Sequence, residues 1–277
     1  TGASFEKSYA SILDRLYTKA VRVQIPIGAE DQFEAVIDVL EMKVFKFEGE
    51  MGKNVSAHEI PEAYMADAKK YHDEIVERIV ETDDALMSDF IEGKIPELDV
   101  LKRALRAAVV TNKIFPVLTG SSLKNKGVQR VLDAVVDYLP SPLDLPSATG
   151  KNTDTGAEET RPATDDGPFA ALVFKLQVDP FVGALTFFRV YSGHIAAGET
   201  VYNSANNKKE RIGRMVRLQA DKREEIKKVF TGEIAALVGA KEAKIGHTIC
   251  DEKSPIILEE IKFRLPVLSA RIEPKTK

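Results

Sequence analysis

The sequence predicts an α/β first half followed by an all-β second half. Two patterns and one boundary carry that expectation. Up to residue 139, apolar residues recur at helical spacing or alternate in short strand-like runs. From residue 169 onward they fall into many short β-rich runs separated by turn signals, the mark of a sandwich or a small barrel. Between the halves, Pro140, Pro142 and Pro146 cannot sit inside a helix, and residues 147–167 are polar and carry Gly150, Gly156 and Gly167. The expected division is therefore residues 1–146 as one domain and 147–277 as a linker loop and a second domain. A chain of 277 residues accommodates both.

In the first half, Phe5, Tyr9, Ile12, Leu13 and Leu16 share one face of an amphipathic helix. Val21, Val23, Ile25 and Ile27 alternate as a half-buried strand, and residues 33–47 continue the strand-like pattern. Pro61 suits the first position of a helix, where its missing N–H costs nothing, and Tyr64, Ala68, Tyr71, Ile75 and Ile79 follow at helical spacing. Residues 98–110 read as another helix. Residues 114–119 form a short apolar strand, then comes the polar loop G-S-S-L-K-N-K-G, then a helix over 128–139. Strand, loop, helix places the loop at the carboxyl edge of a parallel sheet, where α/β proteins bind ligands. In the second half the runs are 169–178, 185–191, 200–203, 210–218, 233–238 and 248–250.

Composition excludes several classes. Hydrophobic residues at 44% and charged residues at 30% describe an ordinary globular chain. No stretch approaches the roughly 18–20 apolar residues of a membrane span, so no membrane partner is expected. The N-terminus lacks the basic and apolar regions of a secretory signal. A chain starting at Thr1 without Met is expected to be processed or cut from something longer. Cys250, the single cysteine, rules out an intramolecular disulfide and fits a reducing, cytoplasmic location. The net charge of −4 neither requires nor forbids nucleic acid, because binding follows local patches.

The catalytic motifs are informative by absence. A self-contained nucleotide hydrolase needs G-x-x-x-x-G-K-[ST] around the phosphates, and the chain contains no such run, no D-x-x-G and no N-K-x-D. His58, His72, His194 and His247 share no metal-ligand spacing, Cys250 has no neighbour that would activate it, and Asp83-Asp84 and Asp165-Asp166 read as cap or loop residues. Two groupings remain. Gly120, Ser121 and Ser122 follow a strand, where small residues let backbone approach a flat ligand, although an ordinary turn has the same composition. A basic cluster of nine residues spans 208–228. It includes Arg211, Arg214 and Arg217, whose alternation would put guanidiniums on a solvent face. Glu210, Glu224 and Glu225 interleave, so a solvated hairpin and a phosphate-contacting surface both fit.

Taken together, several blocks resemble bacterial elongation factor G. They are I-G-A-E at 27–30, K-N-K-G-V-Q at 124–129, L-D-A-V-V-D-Y-L-P-S-P at 132–142, D-P-F-V-G-A-L-T-F-F-R-V-Y-S-G at 179–193, K-R-E-E-I-K at 222–227 and E-P-K-T-K at 273–277. The resemblance spans nearly the whole chain. It implies an interior fragment: the end of the GTPase domain with its α/β insert at roughly 29–111, then the β-barrel second domain of translation factors.

What the resemblance implies for function follows from that placement. The parent would bind GTP or GDP with Mg and hydrolyse GTP to drive translocation on the ribosome, while this chain alone is expected to be inactive and to hold no nucleotide tightly. Gly120, Ser121 and Ser122 stand where the family has G-S-A, whose third backbone N–H recognises the guanine carbonyl; Ser122 replaces the usual Ala. Lys124 would pack its stem on the base. The barrel, through Arg211, Arg214 and Arg217, would face small-subunit ribosomal RNA, and the insert the large-subunit stalk protein, from a monomer in the cytoplasm. Two alternatives stay open: a freestanding RNA- or ribosome-binding module, and a related ribosome-protection or release factor.

Overall fold

The computed structural model of the protein describes residues 2–16, 19–179, 183–220 and 222–258. Pro180, Phe181 and Val182 of the D-P-F-V-G run and the E-P-K-T-K block therefore lie outside the described residues. The chain divides into two units, Thr1–Pro140 and Ser141–Lys277.

The first unit opens with helix α1 (Phe5–Arg15), strands β1 (Ala20–Arg22), β2 (Gln24–Ile27), β3 (Ala35–Asp38), β4 (Lys43–Glu48) and β5 (Asn54–His58). It continues with helices α2 (Glu62–Val80), α3 (Asp84–Ile91) and α4 (Leu98–Val110), strand β6 (Phe115–Val117) and helix α5 (Val128–Tyr138). The alternation at Val21 to Ile27 is not one strand. The chain changes partner at Val23, so β1 pairs in parallel with β6 while β2 joins an antiparallel sheet ordered β2-β3-β4-β5. The apolar alternation of Val21, Val23, Ile25 and Ile27 runs through the switch, which is why the sequence hides it, while Gln24 between them is buried as well. Pro61 stands just outside α2 as its N-cap, with ψ 145°, one position earlier than expected. Asp83 caps α3 by accepting hydrogen bonds from the N–H groups of Ala85 and Leu86 at 3.0 and 3.1 Å.

One core joins these elements: Val21, Ile37, Val39, Ile75, Ile79, Leu105 and Tyr138 are all buried in it. Two cations lock its margins. Arg22 is sandwiched with its guanidinium 4.2 Å from the Tyr9 ring centre and 4.0 Å from that of Tyr71, and it also meets Glu6 at 3.2 Å; this ties α1, β1 and α2 together. Arg130 of α5 lies 3.0 Å from the buried Asp38 carboxylate, 2.9 Å from Glu41 and 4.1 Å from the centre of the Phe45 ring. Burial pushes the Asp38 carboxyl up, against the Glu41 backbone N–H and the Arg130 contact. Burial also opposes charge on Glu41, but hydrogen bonds from Lys102 and Arg130 outweigh it and hold that carboxyl below its ordinary range.

The second unit contains β7 (Ala148–Asn152), β8 (Glu158–Arg161), β9 (Ala170–Asp179), β10 (Gly183–Ser192), β11 (Ile195–Ala196), β12 (Thr200–Asn203) and β13 (Lys208–Arg211). Then come β14 (Arg214–Gln219), β15 (Lys222–Ile226), β16 (Lys228–Val229), β17 (Ile234–Val238), β18 (Thr248–Cys250) and β19 (Ile256–Ile257). Eight of them form one antiparallel sheet in the order β13-β12-β18-β9-β10-β17-β14-β15. Its main core includes Phe169, Val173, Phe188, Val190, Val201, Met215, Leu237 and Ile249, and a smaller buried cluster of Leu185, Val216 and Ala236 lies apart from it. The fold is thus of the expected barrel type, with one correction: among the described residues no pairing joins β13 to β15, so the barrel is not closed. The run expected over 210–218 is two strands, interrupted at Ile212-Gly213.

Residues 147–167, expected as a loop, are instead partly paired. β7 and β8 form a hairpin, and β19 adds to the other side of β7. The polar sequence disguises this because the hairpin is held by backbone and by close approach: a Cβ on Gly150 would lie 2.4 Å from the Ile257 carbonyl oxygen. Gly193 is similarly constrained. Its φ is +72°, and a Cβ there would lie 2.5 Å from the Gly167 oxygen and 2.7 Å from the Phe169 nitrogen.

Two outcomes follow. Arg130→Met should destabilise the first unit by about 2–3 kcal/mol, because Asp38 and Glu41 would be left facing each other without their shared cation. Urea unfolding followed by circular dichroism reads this, and an unchanged midpoint would contradict it. Cys250 is wholly buried and burial pushes its thiol up, so a thiol reagent should label it at least about 100-fold slower in the folded chain than in denaturant. Equal rates would contradict the placement.

Candidate functional site

The loop after β6 is fixed at both ends. The Phe115 and Val23 N–H groups donate to the Lys19 and Val117 carbonyls at 3.1 and 2.9 Å, setting β6 beside β1. Past the strand, the Ser121 N–H donates to the Lys126 oxygen at 2.8 Å, and the Lys126 N–H returns a bond to the Ser121 oxygen at 3.0 Å. This pinches the loop into a bridge. Gly120 and Gly127 are needed where it closes. A Cβ on Gly120 would sit 2.8 Å from the Lys126 oxygen, and one on Gly127, whose φ is +85°, 2.8 Å from the Thr119 oxygen.

Within the pinch the Ser121 N–H is consumed, whereas the N–H of exposed Ser122 has no acceptor among the described residues. The third small residue of the loop thus keeps a backbone donor available. Gly120 and Ser121 also border a cavity of about 460 Å³, together with Ser4, Phe5, Pro26 and Gly28. The backbone N–H groups of Gly2 and Ala3 both donate to the Glu30 carboxylate, the latter at 3.2 Å, so the start of the chain forms one wall. Gly28 allows the turn beneath: its φ is +79°, and a Cβ would collide with the Gln32 oxygen at 2.0 Å. These contacts account for the I-G-A-E block in physical terms.

Lys124 does not stand over this cavity. Its ammonium donates to the Asp31 carbonyl oxygen at 3.3 Å and lies 3.7 Å from that residue's carboxylate. Lys126 and Asn125 likewise reach out of the loop, donating to the Phe33 and Met51 oxygens at 3.0 and 2.7 Å. All three hold the loop against residues 31–51 through side-chain contacts that no local motif announces.

The three arginines expected on one basic strand are dispersed. Arg211 lies on β13, the end strand of the sheet, and its Nε donates to the Gly198 oxygen at 3.1 Å. Arg217, on β14, grips Glu233 at 2.6 Å and approaches Glu224 at 3.9 Å. Arg214 is exposed and makes no ion pair among the described residues. Their neighbours are also engaged: Lys208 pairs with Glu242 at 2.8 Å and Lys209 with Glu252 at 2.6 Å. Exposed pairs of this kind contribute little stability, but they cancel much of the positive potential the sequence suggests.

The histidines are structural in their contacts. His72 Nδ1 lies 2.8 Å from the Val39 oxygen, His58 Nε2 lies 2.8 Å from Ser56 Oγ, His194 Nδ1 lies 2.7 Å from the Asp165 oxygen, and His247 Nδ1 lies 3.1 Å from Asn203 Nδ2. Among the described residues no group of three or more His, Cys, Asp or Glu side chains could hold a metal ion. No helix of the described residues is long and apolar enough to cross a membrane.

Comparison with known proteins agrees with this architecture. A crystal structure of a protein from Thermus thermophilus superposes with a TM-score of 0.73 at 23% identity, over 92% of this chain and 35% of that one. At that identity the likeness establishes the fold. The chain spans 35% of the length of the protein it matches. Residues 168–252, which run from just before β9 to just beyond β18, match the family model described as elongation factor G domain 2. That stretch of the second unit is therefore similar to elongation factor G domain 2, a translation-factor domain.

Proposed function

We propose that the chain is an internal part of a translation factor resembling elongation factor G, whose parent uses GTP to drive translocation on the bacterial ribosome. The domain match over residues 168–252 carries this reading. Three features of the first unit support it. A parallel strand pair leads into a small-residue loop, that loop keeps the Ser122 N–H available, and a cavity opens beside Gly120 and Ser121. In the parent, the Ser122 N–H would read a guanine carbonyl while segments beyond this chain hold the phosphates and magnesium. Binding of GTP would order switch segments, and hydrolysis would release them.

This chain then acts as a positioning and docking part. Lys124 braces the guanine loop through Asp31 in place of covering the base. The second unit faces small-subunit ribosomal RNA, with Arg214 the most available of its three arginines, and residues 29–111 face the large-subunit stalk. The unit works as a monomer in the cytoplasm.

Two measurements test the reading. Guanine contacts number two or three at most, and about 1–1.5 kcal/mol for each net hydrogen bond limits the isolated chain to millimolar affinity or weaker. Titration with a fluorescent GDP analogue should show no saturation below about 1 mM, and no phosphate should be released from GTP. Tight, saturable GDP binding would overturn the division of labour between this chain and the rest of the parent. In pelleting assays the chain should sediment with ribosomes at low salt and leave them as salt rises, since its contacts to RNA are ionic. A chain that stays in the supernatant at every salt concentration would contradict a ribosomal role.

A further inference from the structure

Residues 239–247, which join β17 to β18, are fastened to the turn between β12 and β13. Asn203, wholly buried, and Asn206 both donate from Nδ2 to the Glu242 carbonyl oxygen, each at 3.1 Å. Lys208 pairs with the Glu242 carboxylate at 2.8 Å, and the Lys241 N–H donates to the Glu210 carboxylate at 2.6 Å. Val173 of β9 brackets the far end of the loop. Its N–H donates to the His247 oxygen at 2.9 Å, and its oxygen accepts the Gly246 N–H at 2.8 Å.

One member of this set depends on protonation, the contact between Asn203 and half-buried His247. The Asn203 amide has a fixed sense. Its Oδ1 accepts the Ala205 N–H at 3.2 Å and its Nδ2 donates to Glu242, so the second Nδ2 hydrogen meets His247 Nδ1 at 3.1 Å. Nδ1 must then be the bare, accepting nitrogen, with the ring proton on Nε2. An imidazolium carries N–H at both nitrogens and would set donor against donor. Turning the amide over offers no escape. It would aim Nδ2 at the Ala205 N–H and Oδ1 at the Glu242 oxygen, losing both bonds.

The surrounding charges give an imidazolium no help. Lys244 of the same loop opposes it, the Glu242 carboxylate is held by Lys208, and that of Glu210 accepts the Lys241 N–H. On β9, Leu172, Val173 and Phe174 are uncharged, and Lys175 lies over the Phe187 ring. On β12 the titratable residue is Tyr202, whose hydroxyl donates to Asn207. Burial, and then Lys244, push the His247 imidazole below its ordinary range. The closed loop thus binds fewer protons than an open one. Its full stability is present above about pH 6.5, the value of a free imidazole, and is lost as pH falls below that.

We infer that His247 and Asn203 form an acid-sensitive latch: a neutral imidazole keeps the 239–247 loop on the β12–β13 turn, and its protonation releases the loop. The release is local, because Ile249 and Cys250 just beyond are buried and paired with β9 and β12. The latch does not depend on the ribosomal reading of the chain.

Hydrogen exchange of the full chain tests it, measured from about pH 8 to about pH 5.5, above the range where carboxylates titrate, and corrected for intrinsic exchange. Below about pH 6.5 the opening of residues 239–247 should rise, approaching roughly tenfold per pH unit as one proton is taken up, while β9 and β10 stay protected. His247→Gln, which takes up no proton, should abolish that rise, with a thermal melt to establish that the variant is folded. A second measurement needs no variant. Long-range proton–nitrogen spectra of the native chain at about pH 8 should show His247 protonated on Nε2 alone, with its titration midpoint below that of the denatured chain. A proton on Nδ1, loop exchange that ignores pH, the same rise in His247→Gln, or an equal rise in every strand would overturn the inference.

Discussion

Arg130 projects from α5 into a place where Asp38, Glu41 and the face of Phe45 all need a cation. Two carboxylates that close together in a largely buried setting cannot both stay charged without one. The arginine therefore fixes where α5 lies against the antiparallel sheet β2–β5. That position also sets the loop before α5, because Lys124, Asn125 and Lys126 all reach back to residues 31–51. The cavity beside Gly120 and Ser121 is thus a consequence of how a four-stranded sheet and a helix are held together, some distance from the cavity itself.

The second unit depends on a different constraint, the close passage of backbone past backbone. Gly193 and Gly167 let the end of β10 lie on the start of β9, and Gly150 lets β7 lie on β19. Phe188 and Met215 fill the core from one face, and on the other face Leu185, Val216 and Ala236 form a second buried cluster. Bulges at Phe187/Phe188 and Val190/Ser192 re-aim side chains along β9 and β10, which is how Phe174 comes to stand near Phe187 even though both strands alternate.

Much of this was legible in the residues, and what was not has identifiable causes. The helix over 98–110 forms as Leu98–Val110 because its apolar face repeats cleanly, and strands such as Thr200–Asn203 and Thr248–Cys250 are bounded by unambiguous turn residues. The change of sheet at Val23 was hidden because apolar alternation carries no information about which strand is the partner. The β7–β8 hairpin was hidden because glycine contacts and a buried Arg161, whose guanidinium donates to the Ser254 oxygen at 3.2 Å, hold it in place of apolar side chains. Of the candidate site, the small-residue loop was visible from strand, loop and helix in order. The fate of Lys124 was not, since Asp31 is distant in sequence. Nor was the pairing of Arg217 with Glu233, which divides the basic cluster into engaged and available members.

The central claim is that these two units belong to a larger GTP-driven translation factor. Reading the coding sequence upstream of Thr1 tests it most directly. The account predicts G-x-x-x-x-G-K-[ST], then D-x-x-G, then N-K-x-D in frame, the last ending just before Thr1, to complete the nucleotide site that Gly120, Ser121 and Ser122 border. A start codon at that place, with none of these motifs, would contradict it and leave an RNA-binding module that owes nothing to GTP.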